Sequence, residues 1–547
     1  MYDPTHGLFK LPTKEERVIM RAGAPLNPFK LCAMLTPMQW AMFFSGWLAW
    51  TMDAWDFFSV SLSVSALTKE FDKPTKSITT AITLTLLFRS VGAAIFGVVS
   101  DRYGRKYPLV INLLLIAALS LGSGFVQTYS QFLAVRSLFG IAMGGIWGGA
   151  TATALENMPP APRGLFSGIL QQGYAVGYLL AASVNLTWIE ESHNWRILFF
   201  LGAGLSALAA AFRMLLPESE LFLQQKAEKD ARDDSGESKA TIFLRELKVM
   251  LKTHWLRCIY GILLMTGSTS RHTGASVHFS DIEHLCILFP CLGDPRSATT
   301  GSQDLTPVML KSSKLLSADQ ANKATIIANC GAITGGFIAG YISQYLGRRL
   351  TIIMFVIFTG VMIPAWILPN SFSGLAAGGF FMQVGVQGAW GVIPIYLSEI
   401  APPAFRATYA GLAYQLGNAA SSASSQIEAT GGDNLKERNP IWTPNSPPTV
   451  EEFIPAYAKV SAILMGTVCA YLLIVVTFGW EYRGVEFAEA APATVPGAGK
   501  QDGHDLEKSA YTHETPRHKP MEDEASIEHV DDKVISGDAS PGSDKKR

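Results

Sequence analysis

Charged side chains are scarce in this sequence. Only 16% of the 547 residues are Asp, Glu, Lys or Arg, whereas soluble domains carry about 25%. These charges gather in the first thirty residues, in 218–256 and from about 481 onward, which leaves long apolar stretches between them. A stretch of about 20 apolar residues has the length that a helix needs to cross a bilayer core. The composition therefore predicts a polytopic membrane protein.

Other absences exclude several classes of protein. The six cysteines are scattered, which predicts no disulfide framework. A net charge of −1 gives no reason to expect nucleic-acid binding. His278, His284, Cys286 and Cys291 fit no usual zinc spacing, and no nucleophile–base pair or phosphate loop is evident. We therefore expect no enzyme activity, catalytic residue, metal or cofactor. The N-terminus is polar and acid-containing, unlike a cleaved signal peptide.

The apolar runs predict an all-α protein with twelve transmembrane helices, six on each side of a charged linker. The expected spans lie at 37–63, 77–98, 107–127, 130–155, 165–188, 196–216, 256–310, 322–343, 350–368, 372–397, 405–425 and 457–479.

The two sets of six spans repeat each other at a constant distance along the chain. The stretch WGGATATALENMPPAPRG (147–164) resembles WGVIPIYLSEIAPPAFRA (390–407), and matched residues such as Glu156 and Glu399 lie 243 positions apart. The same offset superposes GVVSDRYGRK (97–106) on GYISQYLGRR (340–349). Parallel repeats of this kind indicate two pseudo-symmetric six-helix bundles with a substrate site between them near mid-membrane.

The motif formed by Gly97, Asp101, Arg102, Gly104 and Arg105 resembles the signature loop between spans 2 and 3 of the major facilitator superfamily. The resemblance implies the major facilitator fold and a role for this loop in conformational change. Because basic clusters mark the cytoplasmic side, the loop and both chain termini are expected to be cytoplasmic.

The expected organisation has five parts: a cytoplasmic N-terminal tail (1–35), the first bundle (36–217), a cytoplasmic linker (218–255), the second bundle (256–480) and a disordered cytoplasmic tail (481–547). Lysines and serines of the tails are candidates for ubiquitin or kinase control, although such residues are more often simply solvated.

An arginine in the middle of a span needs an anionic partner. Arg89 lies near the centre of span 2, and its planar fork suits a carboxylate. That carboxylate could belong to a substrate or to Asp53 or Asp56, which are expected toward the outer end of span 1. Position alone leaves these two alternatives about even.

Two glutamates close spans 4 and 10 at the cytoplasmic face. Glu156 is followed by Arg163, and Glu399 by Arg406, each after seven residues. We interpret these pairs as structural, either as gating ion pairs or as helix ends at the interface.

Amide side chains in spans 5 and 11 are candidates for the central cavity. The offset of 243 pairs Gln172 with Gln415, and Gln415 shares one helix face with Asn418. The alternative is hydrogen bonding between helices, but for these amides we favour the cavity.

The run GSQDLTP (301–307), the arginine of span 2 and YQLGN (414–418) resemble the fungal lactate/pyruvate:proton symporters. That family has a span-7 signature N-x-x-S/T-H-x-S/T-Q-D-x-x-x-T, which Ser302, Gln303 and Asp304 match. Its Asn, His and final Thr fall here on Arg296, Thr300 and Val308.

This resemblance implies proton-driven import of lactate, pyruvate or acetate across the plasma membrane. It implies that Arg89 pairs with the substrate carboxylate, that Gln303 and Asp304 act in recognition and coupling, and that Gln415 and Asn418 shape selectivity. Gln172, the repeat partner of Gln415, is a further candidate for substrate binding. The proton carrier would be Asp304, Asp53 or Asp56. The alternatives are a porter for sugar, phosphate or another organic acid, and a non-transporting nutrient sensor.

Polar sequence at 268–298 interrupts span 7. We favour an error in the gene model over a real insertion, because an error explains the lost signature residues together with the polar filler.

Overall fold

The computed structural model describes residues 27–73, 75–185, 187, 194–219, 222–223, 239–270, 309–311, 313–421, 434–439, 442, 452–481 and 487. The helices are α1 (Pro28–Ala33), α2 (Pro37–Phe71), α3 (Thr75–Tyr103), α4 (Lys106–Phe125), α5 (Tyr129–Gly144), α6 (Ile146–Leu155), α7 (Arg163–Val184), α8 (Arg196–Leu215), α9 (Lys239–Thr253), α10 (Trp255–Ser270), α11 (Ala318–Leu346), α12 (Arg348–Ile367), α13 (Phe372–Ile400), α14 (Arg406–Ser421) and α15 (Tyr457–Thr477).

Apart from α1 and α9, these helices lie in the predicted spans, and they confirm the all-α class. Helices α5 and α6 together form span 4, with a break at Gly145. Within the described residues, eight helices are long and apolar enough to cross a membrane. The helices α2, α7, α10 and α14 occupy the remaining predicted spans and are more polar or shorter. A short antiparallel pair, β1 (Lys436–Arg438) and β2 (Phe453–Pro455), precedes α15.

Helix α2 is longer than predicted, which corrects the position of two acids. Thr36 caps its start in a reciprocal hydrogen-bonded box with Gln39, and the helix continues to Phe71 before Asp72 ends it in the left-handed region. Asp53 and Asp56 therefore lie near the middle of α2 and not toward its outer end.

The two bundles meet through small residues. A side chain on Gly168 of α7 would collide with the Gly336 carbonyl of α11, and a Cβ on Gly164 would lie 2.8 Å from the Gly340 carbonyl. On the other side of the seam, α3 packs on α14, where a Cβ on Gly97 would lie 2.9 Å from the Thr408 Cα. These contacts lie toward the ends of the helices that carry the signature loops. That face is closed between the bundles.

The interrupted span begins with α10, which ends at Ser270. Residues 271–308 lie outside the described part of the chain, and so do Gln303 and Asp304.

Candidate functional site

The central arginine is joined to an acid of the same bundle. Arg89 Nη2 donates to Asp53 Oδ2 at 2.6 Å, and both side chains are buried. The Phe57 ring lies 5.6 Å from the guanidinium carbon. The contact is single, because Arg89 Nε and Asp53 Oδ1 have no hydrogen-bond partner among the described residues. The internal bridge considered from the sequence is therefore present, and it leaves part of the guanidinium fork open.

The second acid of α2 is held by hydroxyl groups. Asp56 accepts hydrogen bonds from Ser120 of α4 at 2.6 Å and from Ser206 of α8 at 3.1 Å. Arg136 of α5 interacts electrostatically with both Asp53 and Asp56. Its Nε and Nη1 lack hydrogen-bond partners among the described residues. Two acids and two arginines thus share the middle of the first bundle.

An aromatic layer joins the bundles beside this pair of acids. Tyr414 of α14 stacks on Trp147 of α6 with ring centroids 4.6 Å apart, and it meets Trp50 and Trp390 edge-on. Trp50 also stacks on Tyr174 of α7 at 5.3 Å. Tyr414 interacts electrostatically with Arg89 and Asp53. The layer therefore adjoins the central ion pair and contains rings from both bundles.

The predicted amide residues lie at the same seam. Asn418 donates to Gln415 Oε1 at 2.8 Å, and the Gln415 carbonyl accepts from Ser90 Oγ, the neighbour of Arg89. Gln172 lies against Gly336 of the other bundle. Gln172 is buried with neither polar atom of its side chain bonded among the described residues, and Gln415 Nε2 is likewise unbonded. These buried amides therefore have hydrogen-bonding capacity that the described residues do not use.

The signature loop of the first bundle holds a buried ion network. Arg105 donates to both oxygens of Glu156, each at 3.1 Å, and lies 3.2 Å from Asp101. Burial alone would lower the pKa of Arg105, but Glu156 and Asp101 outweigh burial and raise the pKa above its ordinary value. Glu218 accepts from the backbone N–H groups of residues 105 and 106. The arginine therefore remains charged and fixed.

The second bundle repeats this network. Arg348 donates to both oxygens of Glu399 at 2.9 Å, and Glu481 accepts from the backbone N–H groups of residues 348 and 349. Gly104 and Gly347 take matching positive φ values of 105° and 103°, a conformation that favours glycine. The close ion pairs of both glutamates thus run to the signature loops rather than to the arginines seven residues further on.

Those two arginines contact a ring from beyond α15. The guanidinium carbons of Arg163 and Arg406 lie 3.9 Å and 4.2 Å from the centroid of the buried Phe487 ring. Since Arg163 belongs to α7 and Arg406 to α14, the phenyl ring bridges the two bundles. The sequence analysis missed Phe487, because no pattern links an isolated aromatic residue in a polar tail to this site.

A second connection crosses the closed face. Asp101 of α3 accepts hydrogen bonds from the backbone N–H groups of Ala407 and Thr408 at the start of α14, the latter at 2.8 Å. Arg102 lies apart from this network, with its guanidinium over the Tyr103 ring at 4.7 Å. The contacts of Asp101 and of Phe487 both join the two bundles. They close the gap between the bundles at the face that carries the signature loops.

Sequence reasoning also missed Glu218 and Glu481 as equivalent residues. They fill matching positions but lie 263 residues apart rather than 243, because the segment before α15 is longer than its counterpart before α8. Their equivalence is visible only in the structure, because a comparison of the two halves at a constant offset of 243 residues does not align them.

A helical fold of two bundles with repeated loops, and with buried polar side chains inside the first bundle and at the seam, is that of a membrane transporter of the major facilitator type. The chain matches the sugar (and other) transporter family over residues 31–252 and 294–436. It belongs to that family, whose members are transporters and not enzymes.

Individual relatives narrow the class. The chain is 36% identical over 468 residues to the carboxylic acid transporter protein homolog of Saccharomyces cerevisiae, covering 83% of this chain and 70% of that protein. It is 24% identical to the cis,cis-muconate transport protein of Acinetobacter baylyi, covering 69% of this chain and 83% of that protein. This is a major facilitator transporter with carboxylic acid transporters among its relatives.

A solved structure has the same fold. The proton:xylose symporter XylE bound to 6-bromo-6-deoxy-D-glucose aligns with a TM-score of 0.61 at 17% identity, covering 83% of this chain and 99% of that one.

Proposed function

We propose that the protein imports short-chain monocarboxylates, of the lactate, pyruvate and acetate type, together with protons across the plasma membrane. The observation that carries this proposal is the half-paired Arg89. Its Nε has no hydrogen-bond partner among the described residues while Nη2 contacts Asp53. A carboxylate ligand recognises a guanidinium through two parallel hydrogen bonds, so a substrate anion can compete with Asp53 for the fork.

Charge balance links the anion to a proton. Asp53, Asp56, Arg89 and Arg136 are all buried in the first bundle, and their formal charges sum to zero. A bound monocarboxylate adds one negative charge in a medium where unbalanced charge is costly. One proton restores neutrality. Asp53 is the group that takes it up, because the substrate has replaced Asp53 as the partner of Arg89. This coupling predicts one proton for each monocarboxylate.

Transport then follows from alternating access. The bundles are closed at the signature-loop face, which we place in the cytoplasm, so the substrate enters from outside. With both charges neutralised, the bundles rock and the contacts of Asp101 and Phe487 across the closed face break. Gln172, Gln415 and Asn418 lie on the path between the bundles and hold the polar remainder of the substrate. No cofactor is needed beyond the proton gradient.

The experiment is uptake of labelled lactate in cells that lack their own monocarboxylate permeases, with and without a protonophore. We expect uptake that rises as the external pH falls and collapses with the protonophore. Arg89→Lys keeps the charge but loses the fork, so the apparent KM should rise at least tenfold. Arg196→Lys, at an exposed pair with Glu70, is the matched control. Uptake indifferent to the pH gradient would exclude proton coupling.

A second candidate is a transporter for larger planar carboxylates. The aromatic layer of Trp50, Tyr174 and Tyr414 adjoins the central pair, and flat conjugated acids stack well on such rings. A relative named for cis,cis-muconate transport supports the same class. Competition of labelled lactate uptake by muconate and nicotinate discriminates the two candidates. A chain that reaches the plasma membrane but takes up none of these acids would favour a nutrient sensor.

A further inference from the structure

The linker helix α9 has one face that packs against the protein and one face that is exposed. Its inner face packs Phe243 and Met250 against Phe405 at the turn before α14, with the Phe243 and Phe405 ring centroids 5.6 Å apart. Glu246, the helix's one acidic residue, is also buried. The inner face is therefore fully engaged by the protein.

The outer face of α9 carries exposed apolar side chains. Leu244 is 62% exposed and Leu251 50%, and their spacing of seven residues puts them on one side of the helix. Trp255, the first residue of α10, is 52% exposed. Exposed apolar side chains are therefore present on the linker helix and at the start of span 7.

Cations flank these leucines. Arg245, Lys248 and Lys252 are exposed on the same side of α9, and Arg245 lies 3.6 Å from Glu246. Among the described residues, no ion pair involves Lys248 or Lys252. A basic helix with leucines and a tryptophan beside a membrane span has the composition of an interfacial helix. Lysine stems can lie along acyl chains while their ammonium groups reach phosphates.

We propose that this outer face of α9 binds the phosphate headgroups of anionic phospholipids in the leaflet on the signature-loop side. Lys248, Lys252 and Arg245 contact the headgroup, and Leu244, Leu251 and Trp255 lie against the acyl chains. Since α9 packs on the turn that starts α14, bound lipid also steadies the closed face between the bundles. This inference is independent of which solute is transported.

The test uses the full-length protein, purified in neutral detergent and titrated with short-chain phosphatidylserine or phosphatidylcholine. Native mass spectrometry counts bound lipids, and the unfolding midpoint reports stabilisation. We expect phosphatidylserine to bind preferentially. Each basic residue near an anionic surface contributes about fivefold in affinity. The R245Q/K248Q/K252Q variant should therefore lose phosphatidylserine affinity on the order of 100-fold.

Matched variants separate the possible sources of binding. K69Q/K323Q/K459Q changes the net charge equally at exposed lysines outside the linker and should bind phosphatidylserine as the wild type does. K248R/K252R keeps the charges, so it should also bind and will show whether the sites tolerate substitution. L244Q/L251Q keeps all the cations but should lose most of the lipid binding. Titration with inorganic phosphate should give no stabilisation.

Three outcomes overturn the proposal. The first is unchanged phosphatidylserine binding in the triple linker variant. The second is an equal loss in the variant with control lysines. The third combines two results: inorganic phosphate stabilises the protein as much as the lipid does, and L244Q/L251Q binds the lipid as the wild type does. Together these results would identify a site for free anions.

Discussion

The Arg89–Asp53 pair yields the sharpest prediction through Asp53→Asn. The asparagine keeps the shape of the side chain and one acceptor for Arg89 Nη2, but it removes the negative charge. It therefore imitates an aspartate that has already taken up its proton. If Asp53 competes with the substrate and carries the proton, this variant should bind monocarboxylates without needing a proton.

The magnitude follows from the contact that the substrate must displace. A hydrogen bond to a charged group contributes about 1.5–3 kcal/mol, and the Arg89–Asp53 contact is 2.6 Å long and buried. Because asparagine keeps a weaker hydrogen bond to Arg89, about half of this contribution is lost, and lactate binding should tighten about three- to tenfold. Binding should also become independent of pH, whereas wild-type binding weakens as the pH rises and Asp53 ionises.

The free energy of unfolding of Asp53→Asn should be lower than that of the wild type, although lactate binding is tighter. Complete loss of one partner in a buried ion pair costs about 3–5 kcal/mol, and the retained amide oxygen keeps Asp53→Asn below that range. Lactate should raise the unfolding midpoint more in the variant than in the wild type, because it supplies the missing anion to Arg89. Glu70→Gln, at the exposed pair with Arg196, should change stability by less than about 1 kcal/mol.

Two assays on purified protein in liposomes check this prediction. Exchange of labelled for unlabelled lactate should persist in Asp53→Asn, since exchange needs no net proton movement. Accumulation driven by a pH gradient should disappear. Accumulation in Asp53→Asn at the wild-type level, with the wild-type pH dependence, would refute the role of Asp53 and leave Asp56 or Asp304 as the proton carrier.

Three further predictions concern the seam and the chain itself. Gly336→Ala should slow uptake at least tenfold, because the added Cβ collides with the Gln172 side chain, whereas Gly360→Ala, with open space around it, should leave uptake unchanged; uptake assays with surface-expression controls measure both. Phe487→Ala should open the signature-loop face, seen as faster labelling of engineered cysteines in that seam, while Phe487→Trp should keep the face closed; equal labelling rates would contradict the bridge. Sequencing of cDNA across codons 260–310 should reveal a transcript without the polar interruption, and a transcript encoding all of it in frame would establish a real insertion.

Much of the architecture was predictable from local sequence. Span positions depend on runs of apolar residues, and the structure ends most helices within a few residues of the predicted bounds. The repeat at an offset of 243 predicted that Glu156 and Glu399 are equivalent, but it did not predict that their ion pairs run to Arg105 and Arg348 of the signature loops. Arg89 was correctly placed mid-span because a helix rises by a fixed distance per residue.

The partners of these residues were decided by tertiary structure alone. The sequence offered Arg89 both Asp53 and Asp56, and only the packing of α2, α4 and α8 assigns Asp56 to the serines and leaves Asp53 for Arg89. The Phe487 ring, between guanidiniums from both bundles, has no local signature either. Hydrophobic runs and repeats are properties of neighbouring residues, whereas ion pairs and bridges join residues that lie far apart in the chain. Their geometry exists only once the bundles have packed.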